Sequence, residues 1–140
     1  MHGAPSVSHP VGRSRFAAMA CACAWLLAAA GVALWSAQVQ ASPARLAGAG
    51  CVLAAAGLVA WRSWQRSPQG TLAWNGEGWS WAASPQAEGG MPEPVLDLQQ
   101  VLLLRWRPES GPVRWLWAER RAQPATWDDL RRAVYSRVPP

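Results

Sequence analysis

Apolar residues dominate two long stretches in the first half of the chain. Residues 16–39 contain no charged side chain, and residues 46–61 repeat that pattern after a short break. At about 1.5 Å per residue, the first stretch gives a helix of ~36 Å, enough to cross a hydrocarbon core of about 30 Å. The second reaches a similar length if its helix begins at Pro43, a residue that suits a first helical turn. The pattern predicts a transmembrane helical hairpin over residues 16–66, with spans at about 16–39 and 43–64.

A cleaved signal peptide is the main alternative for the first stretch. Arg13 and Arg15 resemble its basic region, and residues 39–41 include a small residue of the kind found at cleavage sites. Against this alternative, the stretch exceeds the usual apolar region of roughly 7–15 residues, and a second apolar stretch follows it closely. A buried hairpin in a soluble protein is also disfavoured, because alanine and glycine on every face leave no polar side to meet water.

Arginine is unevenly distributed along the chain. Residues 1–69 hold five arginines and no acid, whereas residues 70–140 hold eight arginines and all eight acids. The net charge of +5 therefore belongs to the apolar half and does not indicate a nucleic-acid binder. Two arginines precede the first span, one separates the spans and two follow them, so the positive-inside rule places both termini in the cytoplasm. Residues 1–15 are then a cytoplasmic N-terminal tail of a multi-pass protein. The absence of lysine suits a GC-rich bacterial genome.

Side chains suited to the membrane interface lie at the ends of the predicted spans. Indole rings and guanidinium groups favour the depth of the lipid headgroups. We expect membrane lipid to be contacted there by Trp35, Trp61, Arg62, Trp64 and Arg66. Small residues at four-residue spacing within residues 47–57 favour close helix packing, either against the first span or against a second copy, so the pattern is compatible with a homo-oligomer.

The second half of the chain alternates apolar and polar residues between turn formers. Residues 71–74 and 79–82 flank Asn75-Gly76-Glu77-Gly78, which predicts a β-hairpin because Asn and Gly tolerate positive φ. Residues 84–94 are rich in proline and glycine and are expected to form a loop. Residues 95–106 alternate as a long strand with a bend near Gln99, and residues 113–117 return antiparallel after a turn. The buried face of the long strand is expected to comprise Leu96, Leu98, Leu102, Leu104 and Trp106.

A helix is predicted over residues 126–138. Thr126 suits the N-cap, and Asp128 and Asp129 suit the first turn, where carboxylates interact favourably with the helix dipole. Its apolar stripe is expected to pack on the sheet and consists of Trp127, Leu130, Val134 and Val138. The sequence therefore predicts an α+β membrane protein, a two-helix transmembrane hairpin followed by a small cytoplasmic antiparallel β-sheet domain over residues 70–140 with a C-terminal helix.

Residue types that carry out catalysis are scarce in this domain. His2 and His9 both lie in the N-terminal tail, and residues 70–140 contain neither Cys nor Lys. No phosphate-binding loop, dinucleotide fingerprint or zinc spacing is present. The three cysteines lie within the spans, where we interpret them as packing residues rather than metal ligands or a disulfide framework. We predict a non-enzymatic protein with no catalytic, cofactor-binding or metal-ligating residues and no cofactor. An enzyme would need a carboxylate site that no motif reveals.

Arginine alternates with tryptophan in residues 105–107 and 114–117. Such a pattern is typical of a single-stranded nucleic-acid platform, or of a strand with Trp inward and Arg outward. A further alternative is that some of these tryptophans lie on the lipid headgroups beside Trp61 and Trp64. The zero net charge of residues 70–140 favours the strand, so no nucleic-acid partner is expected. An acidic protein partner could instead meet a basic surface formed by Arg120, Arg121, Arg131 and Arg132. The alternative is that these arginines form only a solvated face.

The layout as a whole resembles the YgfX (CptA) family of small bacterial inner-membrane proteins. The resemblance covers most of the chain and depends on the short tail, the two-helix hairpin and three short motifs. The motifs are Gly78-Trp79, Leu102-Leu103-Leu104 and Trp127-Asp128-Asp129-Leu130-Arg131-Arg132. Family members often carry Phe where this chain has Trp127, and the proline- and glycine-rich residues 84–94 also depart from the family pattern. The family offers no catalytic residues to carry over.

The resemblance implies a membrane-bound, toxin-like protein linked to inhibition of cytoskeletal polymerisation by the bacterial tubulin and actin homologues. It also implies a small soluble partner, described as an antitoxin and as a flavinylation factor for succinate dehydrogenase. We therefore hypothesise a non-enzymatic modulator of cell-division and cell-shape proteins. The alternative is a membrane accessory factor that works with the flavinylation partner on a respiratory complex.

Overall fold

The computed structural model describes residues 6–83 and 86–136. Within these ranges the chain forms six strands, three α-helices and one 3₁₀ turn at Pro124–Thr126. The elements in chain order are β1 (Val7–Val11), α1 (Arg15–Gln38), α2 (Pro43–Gln65), β2 (Gly70–Trp74), β3 (Trp79–Ala82), β4 (Ala87–Asp97), β5 (Val101–Pro108), β6 (Arg114–Glu119) and α3 (Trp127–Tyr135). The chain divides into a helical unit, Arg15–Arg66, and a β unit made of Met1–Ser14 and Ser67–Pro140.

The helical unit contains the two predicted apolar helices, with every bound within one residue of the expected one. Both are long enough and apolar enough to cross a membrane. Neither buries a single described residue, and Leu27 and Val52 remain 74% and 69% exposed. A core helix of a soluble protein would bury such side chains, so the exposure favours a lipid environment. The expected helical hairpin is confirmed as structure, and its apolar surface indicates membrane association.

The β unit is a closed barrel rather than an open sheet. Each strand pairs antiparallel with its neighbour in the order β1 to β6, and β1 pairs with β6 to close the circle. The closing contact joins Val11 to Ala118 in register, and the Gly12 N–H donates to the Trp117 carbonyl at 2.9 Å. Closure pairs β1 with β6, the two strands that would be the exposed edges of an open sheet.

The N-terminal tail is the largest correction to the predicted domain layout. Residues 7–11 form β1, which pairs with β2 over its whole length. Val7, His9 and Val11 are buried, while the two residues between them are exposed. This alternation of buried and exposed side chains is that of a strand with one face on a core. The β domain therefore begins before the helices, not after them.

Strand β4 lies where a loop was predicted for residues 84–94, of which residues 84 and 85 lie outside the described ranges. Residues 87–90 pair with β3, but β3 is short, so residues from Met91 onward pair only with β5. Pro92 and Pro94 lie in this singly paired part. A proline has no N–H to donate, and a strand with one free edge tolerates it. The prolines therefore limit the pairing of β4 without preventing the strand.

The predicted β2–β3 hairpin and the return strand β6 are both confirmed. The expected bend near Gln99 is a tight turn between β4 and β5, in which Gln99 has a φ of 65°. Leu102, Leu104 and Trp106 are completely buried, as expected for their face. Leu96 and Leu98, predicted on that face, are 40% and 42% exposed, because the turn ends the alternation before it reaches them.

Helix α3 packs on the barrel through the predicted apolar stripe. Trp127 and Leu130 are buried with Ala133 in the core, and Val134 packs partly against it. Val138 and the predicted helix end at residue 138 lie outside the described residues. Thr126 occupies the N-cap position but makes no capping hydrogen bond to the helix. Its hydroxyl group lies 3.2 Å from Nδ1 of His9 instead, so the expected cap is replaced by a contact with β1.

Candidate functional site

Two of the four predicted partner-binding arginines lie in the turn that follows β6. Arg120 and Arg121 have exposed side chains. The Arg120 N–H donates to the Gln100 carbonyl at 2.9 Å, which fixes the turn against the β4–β5 connection. In the described part of the chain no ion pair restrains either guanidinium group, so both charges face solvent. These two residues retain the surface character that the sequence predicted for them.

Of the other two predicted arginines, Arg131 differs from the expectation and Arg132 does not. Arg131 is half-buried, and its Nη2 donates to Oδ2 of Asp97 at 2.7 Å. Tyr135 donates its hydroxyl to the same carboxylate oxygen at 3.1 Å. Arg131 therefore fastens α3 to the end of β4 instead of facing a partner. Arg132 remains exposed, 3.7 Å from Asp129 one turn earlier. Arg120, Arg121 and Arg132 are thus the predicted partner-binding arginines whose side chains are exposed.

Asp97 carries the electrostatic coupling between β4 and α3. Burial alone would raise the pKa of Asp97, but hydrogen bonds from Arg131, the Gln99 N–H and Tyr135 outweigh it and lower the pKa below its ordinary value. Burial, together with the neighbouring carboxylate, raises the pKa of Tyr135. Both residues are thus held in their ordinary charge states near neutral pH. This arrangement suits a structural role for the cluster rather than proton transfer.

A second polar cluster forms around His9, which the sequence analysis left in the tail. The imidazole is completely buried, with Nε2 3.1 Å from the Glu119 carbonyl and its ring centroid 5.6 Å from that of Trp127. Buried Ser14 donates to Glu119 Oε1 at 2.5 Å. Desolvation lowers the pKa of His9, partly offset by the hydrogen bond to the Glu119 backbone. The alternation of Val7, His9 and Val11 was the signal that could have identified this strand.

The predicted membrane-interface residues lie at the ends of the helices as expected. Trp35 lies in the last turn of α1, while Trp61 and Trp64 lie near the end of α2 with their ring centroids 5.5 Å apart. In a helical hairpin, the end of the first helix and the end of the second lie at opposite ends of the hairpin. Trp35 is therefore at one end, and Trp61 and Trp64 are at the other. Trp35 and Trp61 are 40% and 57% exposed, and Arg62 and Arg66 are exposed beside them. Whether lipid contacts these side chains stays a prediction.

Trp25 explains part of the small-residue pattern in α2. Its indole N–H donates to the Leu53 carbonyl at 2.8 Å. A Cβ added at Gly57 would lie 3.0 Å from Trp25 Nε1, closer than ordinary contact. The glycine therefore makes room for the indole ring within one hairpin. Of the two interpretations of the spacing, packing against the first helix accounts for Gly57 without a second copy.

The interleaved Arg–Trp segments have different structures in β5 and β6. Trp106 is completely buried, and the guanidinium groups of Arg105 and Arg107 both pair with Glu93 on β4. The hydrogen bond from Arg105 is the largest cause of the lowered pKa of Glu93. This is the expected strand with Trp inward. In β6 the expectation is wrong, because Leu116 points inward and Trp115 is 49% exposed.

The described residues contain no group of three His, Cys, Asp or Glu side chains that could hold a metal ion. In the same part of the chain, Glu93 and Asp97 are each bound to arginine and Glu119 to Ser14. Exposed side chains of the β unit include Arg120, Arg121 and Trp115. Comparison with known proteins adds no further constraint: no family model, no curated protein and no solved structure matches the chain.

Proposed function

We propose that this chain is a non-enzymatic, membrane-anchored binding protein whose barrel lies on the cytoplasmic side. One observation supports the two-span topology of this anchor most directly. Val11, at the end of β1, and Gly70, at the start of β2, are partners in one antiparallel ladder. The chain therefore leaves the barrel before α1 and returns after α2 at adjacent strand ends. If α1 or α2 spans the membrane, both must do so, because a single crossing would place β1 and β2 on opposite sides of the membrane.

The same strand pairing argues against a cleaved signal peptide. Cleavage after Ala41 would remove β1 with its three buried side chains. Strands β2 and β6 would then lose their shared partner, and unpaired backbone groups are costly when buried. The arginine distribution favours the cytoplasm as the side on which both termini lie.

We further propose that this membrane-anchored protein is a YgfX-like modulator of cell-division and cell-shape proteins. The exposed arginines Arg120, Arg121 and Arg132 supply a basic surface for an acidic protein such as the small soluble antitoxin-like partner that the family resemblance implies. Reversing a surface charge lowers the association rate with an oppositely charged partner, most visibly at low salt.

The alternative function, an accessory factor for a respiratory complex, uses the same architecture and the same soluble partner. It differs in the final target, which is a membrane complex instead of cytoskeletal proteins. Overexpression with microscopy separates the two functions. Rounded or filamentous cells support the cytoskeletal function, whereas normal cells with altered succinate oxidation support the respiratory one.

The binding surface is tested in the same cells with Arg120→Glu/Arg121→Glu. Both side chains are exposed, so the pair of changes should leave the fold intact. We expect a weaker phenotype and a weaker pull-down of the partner at unchanged protein abundance. Arg120→Gln/Arg121→Gln is the matched control and should give an intermediate effect, since it removes charge without reversing it. An unchanged phenotype with unchanged pull-down in the reversed variant would exclude this surface.

The topology is tested with reporter fusions. A fusion at Gln40 should be active as a periplasmic reporter, and a fusion at Pro140 should be active only as a cytoplasmic reporter. Periplasmic activity at Pro140 would overturn the proposed orientation. A mature protein that lacks its first 41 residues would revive the signal-peptide alternative.

A further inference from the structure

An exposed apolar patch lies on the outer face of β4, β5 and β6. Met91, Val113 and Trp115 are 59%, 50% and 49% exposed, and Arg107 lies among them. We call these four residues the rim patch. Their exposure follows from the strand alternation, because the neighbouring Pro92, Trp106 and Leu116 point into the barrel. Exposed large apolar side chains in one region usually indicate an interaction surface.

The strand register places the four side chains together. Met91 on β4 is the ladder partner of Arg107 on β5, and Trp115 on β6 is the partner of Arg105, two residues earlier on the same face of β5. Val113 directly precedes β6, two residues from Trp115 and on the same side. Cross-strand partners lie about 5 Å apart, so the patch is continuous over three strands.

This patch lies toward the barrel rim at which the chain departs for α1 and returns from α2. From Gly70 at the start of β2, the ladder leads to the end of β3 through Thr71 and Ala82. It continues to the start of β4 through Ala82 and Ala87, and then to the end of β5 through Gly90 and Pro108. The turn after Pro108, which leads to Val113, is therefore at this rim. The turn containing Leu98 is at the opposite rim of the barrel, since β4 ends and β5 begins there.

We propose that the rim patch lies on the anionic lipid headgroups of the bilayer. The proposal depends on the membrane anchoring proposed above. Only residues 12–14 join β1 to α1, and residues 66–69 join α2 to β2. At about 3.5 Å per residue these links extend no more than ~10–14 Å, so the departing rim remains near the headgroups.

The chemistry of the patch matches that surface. Trp115 presents an indole, which favours the interface between hydrocarbon and water. Arg105 and Arg107 share the carboxylate of Glu93, and Glu109 in the turn at the same rim offsets the remaining charge. The net positive charge at this rim comes from the two links to the helices, which contain Arg13 and Arg66 and no acid. Positive charge beside the bilayer attracts anionic lipid. The β surface thus adds a second membrane contact to that of the helices.

The test measures lipid contact at single positions of the full-length protein in vesicles. Cys21, Cys23 and Cys51 are first replaced by alanine, and one cysteine is then introduced by Val113→Cys, Leu98→Cys or Val59→Cys. Leu98 is the matched control, an exposed apolar residue on the same unit at the opposite rim. Val59 lies within α2 and reports membrane insertion. Each cysteine carries an environment-sensitive fluorophore, and quenching by headgroup-labelled lipid is compared with quenching by iodide in the water.

We expect the label at position 113 to be quenched by lipid at least threefold more strongly than the label at position 98. The difference should be larger in vesicles with anionic phosphatidylglycerol than in vesicles of phosphatidylcholine alone. Equal, water-exposed labels at 113 and 98, with the Val59 position still shielded, would overturn the proposal and leave the anchoring intact. A water-exposed label at position 59 would overturn both. Shielding of position 113 only after addition of a cell extract would overturn lipid contact in favour of a protein partner.

Discussion

The buried imidazole of His9 should make the stability of the barrel depend on pH in the range where histidine titrates. The ordinary pKa of histidine is 6.5, and burial lowers that of His9. Between the lowered value and 6.5, the unfolded chain binds more protons than the folded one. The free energy of unfolding is therefore at its full value above about pH 6.5 and decreases as the pH falls through this window.

The magnitude of the His9 contribution follows from its contacts. In His9→Ala, the Glu119 carbonyl and the Thr126 hydroxyl lose the ring nitrogens that lie 3.1 and 3.2 Å from them. A buried polar group left unsatisfied costs about 1–3 kcal/mol, so for two groups we expect a loss of roughly 2–6 kcal/mol before the cavity is counted. Against a total stability of about 5–15 kcal/mol for a typical domain, this is a large share and should lower the melting temperature clearly.

The measurement is thermal unfolding of the full-length protein in detergent between pH 5 and 7.5, followed by near-ultraviolet circular dichroism of the tryptophans. His9→Gln keeps a side-chain donor and acceptor but does not titrate, so its stability should be nearly constant over this range. His2→Gln is the matched control, since the chain has only these two histidines. Its curve should follow that of the unchanged protein. A pH-independent stability in the unchanged protein, or the same slope in His9→Gln, would refute the reasoning.

Three further predictions concern packing and electrostatics in the barrel. Trp127→Ala should lower the free energy of unfolding by about 3–5 kcal/mol and the protein abundance with it. Trp127→Phe keeps an aromatic ring but loses the hydrogen bond that the indole N–H donates to the Gln99 carbonyl at 2.8 Å, so it should cost less; immunoblots of both variants check this. Gly90→Ala should destabilise by about 1–3 kcal/mol, because its Cβ would lie 2.5 Å from a backbone oxygen of β5 and 2.7 Å from a buried indole ring. Gly78→Ala, with nothing within 4 Å, is its control in the same melts, and equal melting temperatures would contradict the packing argument. Asp97→Asn should cost about 1 kcal/mol, a modest value because the paired Arg131 is partly exposed. The lowered pKa of Asp97 means that its charge stabilises the fold above about pH 3.8 and that this contribution is lost in stronger acid, so the variant should lose less stability there.

The elements found from the sequence were those whose signals are local. The two apolar helices are defined by uninterrupted composition, and the β2–β3 hairpin by its Asn-Gly turn. Helix α3 was recognised from the spacing of Trp127 and Leu130 and from its acidic first turn. Each of these signals is contained within a few turns or within one hairpin.

The elements that the sequence analysis missed depend on distant partners. Strand β1 is only five residues long and is stabilised by β2 and β6, which lie far along the chain. Strand β4 contains two prolines, which have no N–H to donate. The local sequence does not reveal that β3 is too short to pair with this part of β4, where such donors are not needed. The ion pair of Arg131 joins it to Asp97, 34 residues away. Strand β1 and the ion pair of Arg131 decide which side chains remain available for binding, because β1 buries His9 and the ion pair holds Arg131 against Asp97.

The placement of α1 and α2 between two neighbouring strands also determines the order of biosynthesis. The ribosome completes Val11 before either helix and must then synthesise the chain as far as Ala118 before the two residues can pair. Both helices are therefore synthesised before the barrel can close, and β1 has no strand to pair with until β2 has been synthesised. A gene fragment beginning at Ser67 would encode five of the described strands but not the strand between β2 and β6. Expression of the barrel alone requires that residues 6–14 be joined directly to Ser67.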